Sequence, residues 1–211
     1  MGGLAAQAAF VLIEALIARR LGQSSYGTFS TVYAISMLAV CMIDLGMGWK
    51  LIQDGARRPK VVPTLLGTTL LIRCLVFLAS YPVALGVLHG LRYDPVTIGF
   101  FTVFYGYALI MILQDLLAAV HAAEQHMEVN AVFQGGTPLM IGLLGWFLIR
   151  PEVGVNSVAW AYLTGGLLVA LIWMGQTFRR IHPRVELGRI WPIVKGSYLY
   201  GPALLRCSKI L

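Results

Sequence analysis

Apolar residues fall in long, nearly uncharged runs, and short polar segments separate them. A helix needs about 20 predominantly apolar residues to cross roughly 30 Å of hydrocarbon. Runs at Leu4–Ala18, Thr28–Trp49, Val61–Leu88, Val96–Val120, Ala131–Ile149 and Ser157–Gly175 reach or approach that length. A seventh begins near Ser197 and is cut off at Leu211. The pattern predicts an all-α, polytopic helical membrane protein with six transmembrane helices plus the start of a seventh. It divides the chain into a six-helix lobe (residues 1–175), a basic interfacial linker (176–196) and a truncated seventh helix (197–211). An abrupt first run and a last run that stops in mid-span point to a fragment of a longer protein.

Composition supports the same class. Hydrophobic residues make up 58% of the chain and charged residues 12%, about half the charge supply of an average soluble domain. The net charge of +7 resembles that of a nucleic-acid binder, but the basic residues lie between apolar runs, where anionic lipid head groups meet them. Membrane lipids, and no nucleic acid, are therefore the expected surroundings. The second, fourth and sixth connections hold Lys50, Arg57, Arg58, Lys60, Arg179, Arg180, Arg184, Arg189 and Lys195. The others hold Arg19, Arg20, Arg92 and Arg150. This asymmetry places the even connections and the N-terminus in the cytoplasm. In the sixth connection, basic residues mix with Ile181, Leu187, Trp191 and Ile193, as in a segment lying in the head-group region. Pro183 and Pro192 argue against one unbroken helix there.

Four charges fall inside the runs: Glu14, Asp44, Arg73 and Asp115. Each costs roughly 3 kcal/mol to insert, so such residues face a protein interior or water. Asp44, Arg73 and Asp115 share a depth near the inner ends of their spans, and Glu14 lies towards the outer end of the first. Thr69, Arg73 and Ser80 follow one helical stripe. Two readings stay open for Arg73: it pairs with Asp44 or Asp115 inside the bundle, or it faces a cavity and meets an anionic substrate.

No enzymatic constellation is present: the chain lacks H-E-x-x-H, G-x-S-x-G, a Walker loop and a dinucleotide fingerprint. His89, His121, His126 and His182 sit in connections on this reading, and His121 and His126 with Glu124 and Glu128 match no common metal spacing. Crowding of Phe100, Phe101, Phe104, Tyr105 and Tyr107 in the fourth run reads as ordinary packing or an aromatic belt.

The most specific stretch is Ala18-Arg19-Arg20-Leu21-Gly22-Gln23-Ser24-Ser25-Tyr26-Gly27-Thr28-Phe29, followed by Asp44-Leu45-Gly46. It resembles the start of Wzx-type polysaccharide flippases, the lipid-linked oligosaccharide transporters of the MATE-like exporter superfamily. There, an A-R-x-L-G-P-x-x-Y-G-x-F element joins the first two helices. Arg19, Leu21, Gly22, Tyr26 and Gly27 match it, as do Asp44 and Gly46 at the end of the second helix, while Gln23 stands where the family usually has proline. Gly22 and Gly27 suit a tight reversal.

The resemblance implies one lobe of a two-lobed transporter in the bacterial inner membrane. Such a transporter carries a lipid-linked oligosaccharide across by alternating access. It implies no enzymatic activity and no cofactor beyond a coupling ion, Na+ or H+. The partner is a missing C-terminal lobe or a second copy. From depth and sign alone, Arg73, Asp44, Asp115 and Glu14 are the candidate substrate-binding or gating residues, with Glu14 an ion-coupling or gating carboxylate. Multidrug or toxin export within the same superfamily, or a non-transporting scaffold, are the alternatives.

Overall fold

A computed structural model describes residues 2–44, 46–148 and 155–196. The expected seventh run (197–211), Leu45, Arg150 and the end of the fifth run lie outside the described residues. Among the described residues up to Arg180, six α-helices follow in order: α1 (Gly2–Asp44), α2 (Met47–Arg57), α3 (Val62–Gly90), α4 (Pro95–Ala123), α5 (Met127–Leu148) and α6 (Asn156–Arg180). The all-α class is as expected. Ser25–Asp44, Pro59–Gly90, Pro95–Ala123, Met127–Leu148 and Asn156–Arg180 are long and apolar enough to cross a membrane.

The first run is helical and continues past its expected end at Ala18 as far as Gly22. Gly22 (φ 78°, ψ 173°) breaks α1 in two; a side chain resists that conformation. Gly27, by contrast, is helical. The break therefore needs only one of the two expected glycines.

The second run ends sooner than its hydropathy suggests. Gly46 adopts a left-handed φ of 78°, which stops α1 at Asp44 and starts α2. The expected charged connection after Trp49 is consequently a short amphipathic helix. Met47, Gly48, Leu51 and Gly55 are buried on one side, while Trp49 and Arg57 are exposed. The period of four, carried by only three turns, was hidden beneath the long apolar run.

Two spans end in the same way. The amide of Arg92 donates to His89 O and that of Tyr93 to Leu88 O; Gln125 donates to Ala122 O and His126 to His121 O. Arg92 (φ 56°) and Gln125 (φ 62°) hold the left-handed positions of two Schellman closures. At the start of α4, the Thr97 amide and hydroxyl both donate to Asp94, the N-cap.

Helix α4 is the hub, packed by α1, α2, α3, α5 and α6. Two large cores flank its length, beside a smaller third of Leu117, Ala118, Phe133, Val169 and Trp173. One is aromatic, with Phe29, Phe100, Phe101, Phe104, Tyr105, Tyr107 and Tyr162 buried together. This assigns the fourth-run aromatics to packing. The other is aliphatic, drawing Met47 and Leu51 of α2, Val62 and Leu66 of α3, and Leu116 and Val120 of α4 against Ile181 and Ile193.

Ile181 and Ile193 belong to the sixth connection, which is a strap with defined seats. The Arg184 amide donates to Pro63 O (2.9 Å) and that of Glu186 to Thr68 Oγ1 (3.2 Å). Thr64 Oγ1 donates to Glu186 Oε1 (3.2 Å), and Lys50 Nζ to Pro192 O (2.9 Å). Residues 190–196 are helical. Lys50, Arg57, Arg58, Lys60, Arg179, Arg180 and Arg184 all gather with this strap at one end, hereafter the basic end.

Candidate functional site

Three of the four expected intramembrane charges meet. Arg73 projects from the middle of α3 and is fully buried. Its Nη2 pairs with Asp44 Oδ1 at the end of the α1 span. Both Nη1 and Nη2 lie 3.3 Å from Asp115 Oδ2 on α4, and Nη1 donates to Ile112 O at 3.0 Å. Nε is buried and has no hydrogen-bond partner among the described residues. The Gly48 amide of α2 donates to Asp44 Oδ1 (3.3 Å). A methyl at Gly48 would stand 3.2 Å from Arg73 Nη2 and 3.5 Å from Asp115 Oδ2, so only glycine brings α2 this close without displacing the cluster.

Two carboxylates against one guanidinium leave one net negative charge. Its distribution is uneven: the Arg73 side chain is 1% exposed, that of Asp44 30% and that of Asp115 61%. A pocket opens on the acidic side, lined by Asp44, Gly48, Trp49, Asp115, Asn130 and Gln134. Groups that reach this pocket are therefore carboxylates and amides, with the cation behind them. Of the two readings of Arg73, this conformation displays the pairing. The Thr69–Arg73–Ser80 stripe also faces inward: Thr69 is buried, and Ser80 Oγ lies 2.6 Å from Tyr105 Oη.

Glu14 is elsewhere. It is half-buried on the first half of α1 and acts electrostatically on Tyr33 and Tyr162. Tyr162 Oη and Ser36 Oγ in that region are buried without a partner among the described residues. The fourth charge thus belongs to the aromatic core, apart from the Arg73 cluster.

The motif residues at the break have structural work. Arg20 donates from Nη1 to Trp146 O (2.8 Å), and its guanidinium lies 4.4 Å from the Trp146 ring centre, which ties α1 to the end of α5. Arg19 is exposed. Tyr26 is half-buried and packs on Phe29 with ring centres 6.0 Å apart, and the Gly27 carbonyl accepts the hydroxyls of Ser30 and Thr31. Leu21 is the last helical residue before the Gly22 break.

His121 is a correction. It lies within α4, not in a connection, with its ring against Trp173 (centres 6.0 Å apart) and Nε2 3.1 Å from Thr177 Oγ1. His126 and Glu128 are exposed. Among the described residues no three His, Cys, Asp or Glu side chains come together as metal ligands.

Four apolar spans packed around a fifth, α4, define a multi-pass helical membrane protein. Its fold is similar to that in the crystal structure of a MATE mutant. The TM-score is 0.71 at 15% identity, over 94% of this chain and 50% of that one. The chain thus spans about half the length of the structure it matches. No family model and no curated protein matches it.

Proposed function

We propose that this chain is one lobe of a transporter that moves a lipid-linked oligosaccharide across the bacterial inner membrane by alternating access. Its second lobe would be supplied by a C-terminal continuation or a second copy. The observation that carries transport is the match of the whole lobe to half of a MATE fold. The substrate rests on the Arg19–Gly27 element and its resemblance to Wzx-type flippases. No covalent step is involved, and the basic end faces the cytoplasm.

In this reading Asp44, Arg73 and Asp115 form a gate. Arg73 is held by two carboxylates from different spans, and an anionic head group arriving at the pocket would compete with Asp115, the more exposed of the two. Separation of Asp115 from Arg73 would then free the guanidinium for the diphosphate. Glu14, beside the tyrosines of the opposite core, is the coupling carboxylate for Na+ or H+.

Complementation of a flippase-null strain tests the reading. Arg73→Ala should abolish complementation, and Asp115→Asn, which costs little stability, should impair it at normal membrane levels. Full complementation by Arg73→Ala removes the gate. Export of drugs or toxins is the rival, since the matched fold is a MATE fold. Protection of cells from cationic drugs, without rescue of the flippase-null strain, would establish that rival instead.

A further inference from the structure

A cleft runs between α3 and α6 with α4 as its floor, and its walls are apolar throughout. Among the described residues α3 and α6 scarcely touch each other, although both pack on α4. Along α6, Leu167, Leu171, Met174 and Phe178 line the cleft. That spacing of four, three and four is a single helical stripe. Leu113 of α4 lies in the floor, and Leu66 and Leu70 of α3 form the opposite wall.

The ends of the cleft differ. Phe178 is followed at once by Arg179 and Arg180, both exposed. On the facing wall, the strap crosses α3 beside Leu66: a methyl on Gly67 would stand 2.4 Å from the Arg184 carbonyl oxygen. The Arg184 side chain is exposed. Three exposed arginines therefore lie at the basic end of an otherwise apolar slot.

Length selects the occupant. From Leu167 to Phe178 the helix rises about 16 Å at 1.5 Å per residue, close to half of a roughly 30 Å hydrocarbon core. One leaflet of acyl chain fills that depth, whereas a long polyprenyl chain would overrun it. We infer that the α3–α4–α6 cleft is a binding site for an anionic phospholipid. Its acyl chain lies along Leu167–Phe178, and its phosphate lies among Arg179, Arg180 and Arg184. This site lies on another face of α4 from the Asp115 pocket and is independent of the cargo proposed above.

The test is lipid retention by the purified protein, followed by native mass spectrometry after exchange into phosphatidylglycerol or phosphatidylcholine. Wild-type protein should keep phosphatidylglycerol under conditions that strip phosphatidylcholine. The surface variant R179Q/R180Q should lose that preference by roughly tenfold or more, at about 1 kcal/mol per arginine. Leu171→Trp supplies a second measurement, because its fluorescence should be quenched by phosphatidylglycerol brominated on the acyl chains, and less so in the R179Q/R180Q background. Equal retention of both lipids, or a preference unchanged by R179Q/R180Q, overturns the site. So does fluorescence of the introduced indole that is shielded from brominated lipid by a second copy of the chain or by its own residues 197–211.

Discussion

The two ends of the lobe are held together by different physics. At the aromatic core, Phe104 touches Phe29, Tyr33, Phe100, Tyr107 and Tyr162 with ring centres 5.4–6.0 Å apart. At the basic end, α1, α2, α3 and α4 meet through the Arg73 cluster, and the strap is seated by hydrogen bonds to Pro63 O and Thr68 Oγ1. Asp115, whose side chain is 61% exposed, can exchange its contact with the buried Arg73 for water at small cost. A buried ring cluster has no such substitute, since its contacts vanish once the rings part. If the chain works as proposed, the aromatic core is suited to be the pivot and the basic end the part that opens.

The largest expected effect is at Arg73. Arg73→Ala leaves Asp44 and Asp115 facing each other without their shared cation, and breaking a buried pair in this way costs about 3–5 kcal/mol. Thermal unfolding in nanodiscs should show the loss. Adding Asp44→Asn and Asp115→Asn to Arg73→Met should restore most of it, because no uncompensated charge then remains. Asp115→Asn alone should cost far less, as that carboxylate is 61% exposed and screened. If the neutralised triple variant is as unstable as Arg73→Ala, packing rather than charge holds the basic end, and the contrast fails.

Phe104→Ala comes next. It removes a fully buried ring from the centre of the aromatic cluster, at a cost of about 3 kcal/mol by analogy with soluble cores. No charge change should rescue it, whereas Phe104→Leu should recover part of the loss. Tyr162→Phe is the control. Its hydroxyl is buried without a partner among the described residues, so removing it should leave stability unchanged or slightly raised.

The strap should respond more weakly. Gly67→Val drives a side chain into the Arg184 carbonyl and breaks the Arg184–Pro63 hydrogen bond, a loss of about 1 kcal/mol. The readout is local: trypsin should cut at Arg184 several times faster while the melting temperature barely moves. A cut rate unchanged from wild type would mean that the strap is not held at Gly67.

These regions were not equally legible in the sequence. Apolar runs of about 20 residues announced the spans, because in lipid only a helix satisfies its own backbone, and matching depth brought Arg73 to Asp44 and Asp115. The end of α1 was not legible, since Ile43 and Met47 continue the apolar run while the left-handed φ of Gly46 ends the helix. Helix α2 was hidden with it, and so was Gly48, whose only distinction is having no side chain beside Arg73. His121 read as a loop residue because it follows the apolar run, yet α4 continues past it and α6 offers Trp173 and Thr177. Such facts belong to the packing of one helix on another, which no single run of residues carries.

The smallest effect sharpens the contrast from the other side. At the aromatic end, the Thr97 hydroxyl and amide hold the Asp94 carboxyl below its ordinary pKa. A depressed folded-state value means that the cap contributes fully above the ordinary carboxylate range and is lost as pH falls through that range to the lowered value. Acidification should therefore loosen the first turn of α4, seen as faster exchange of the Thr97 amide, and leave the ring cluster intact. Asp94→Asn keeps an N-cap acceptor and should abolish the pH dependence without matching the loss seen in Asp94→Ala. If acid instead melts the aromatic core together with that turn, this end is held by charge as well, and the division between pivot and gate has no basis.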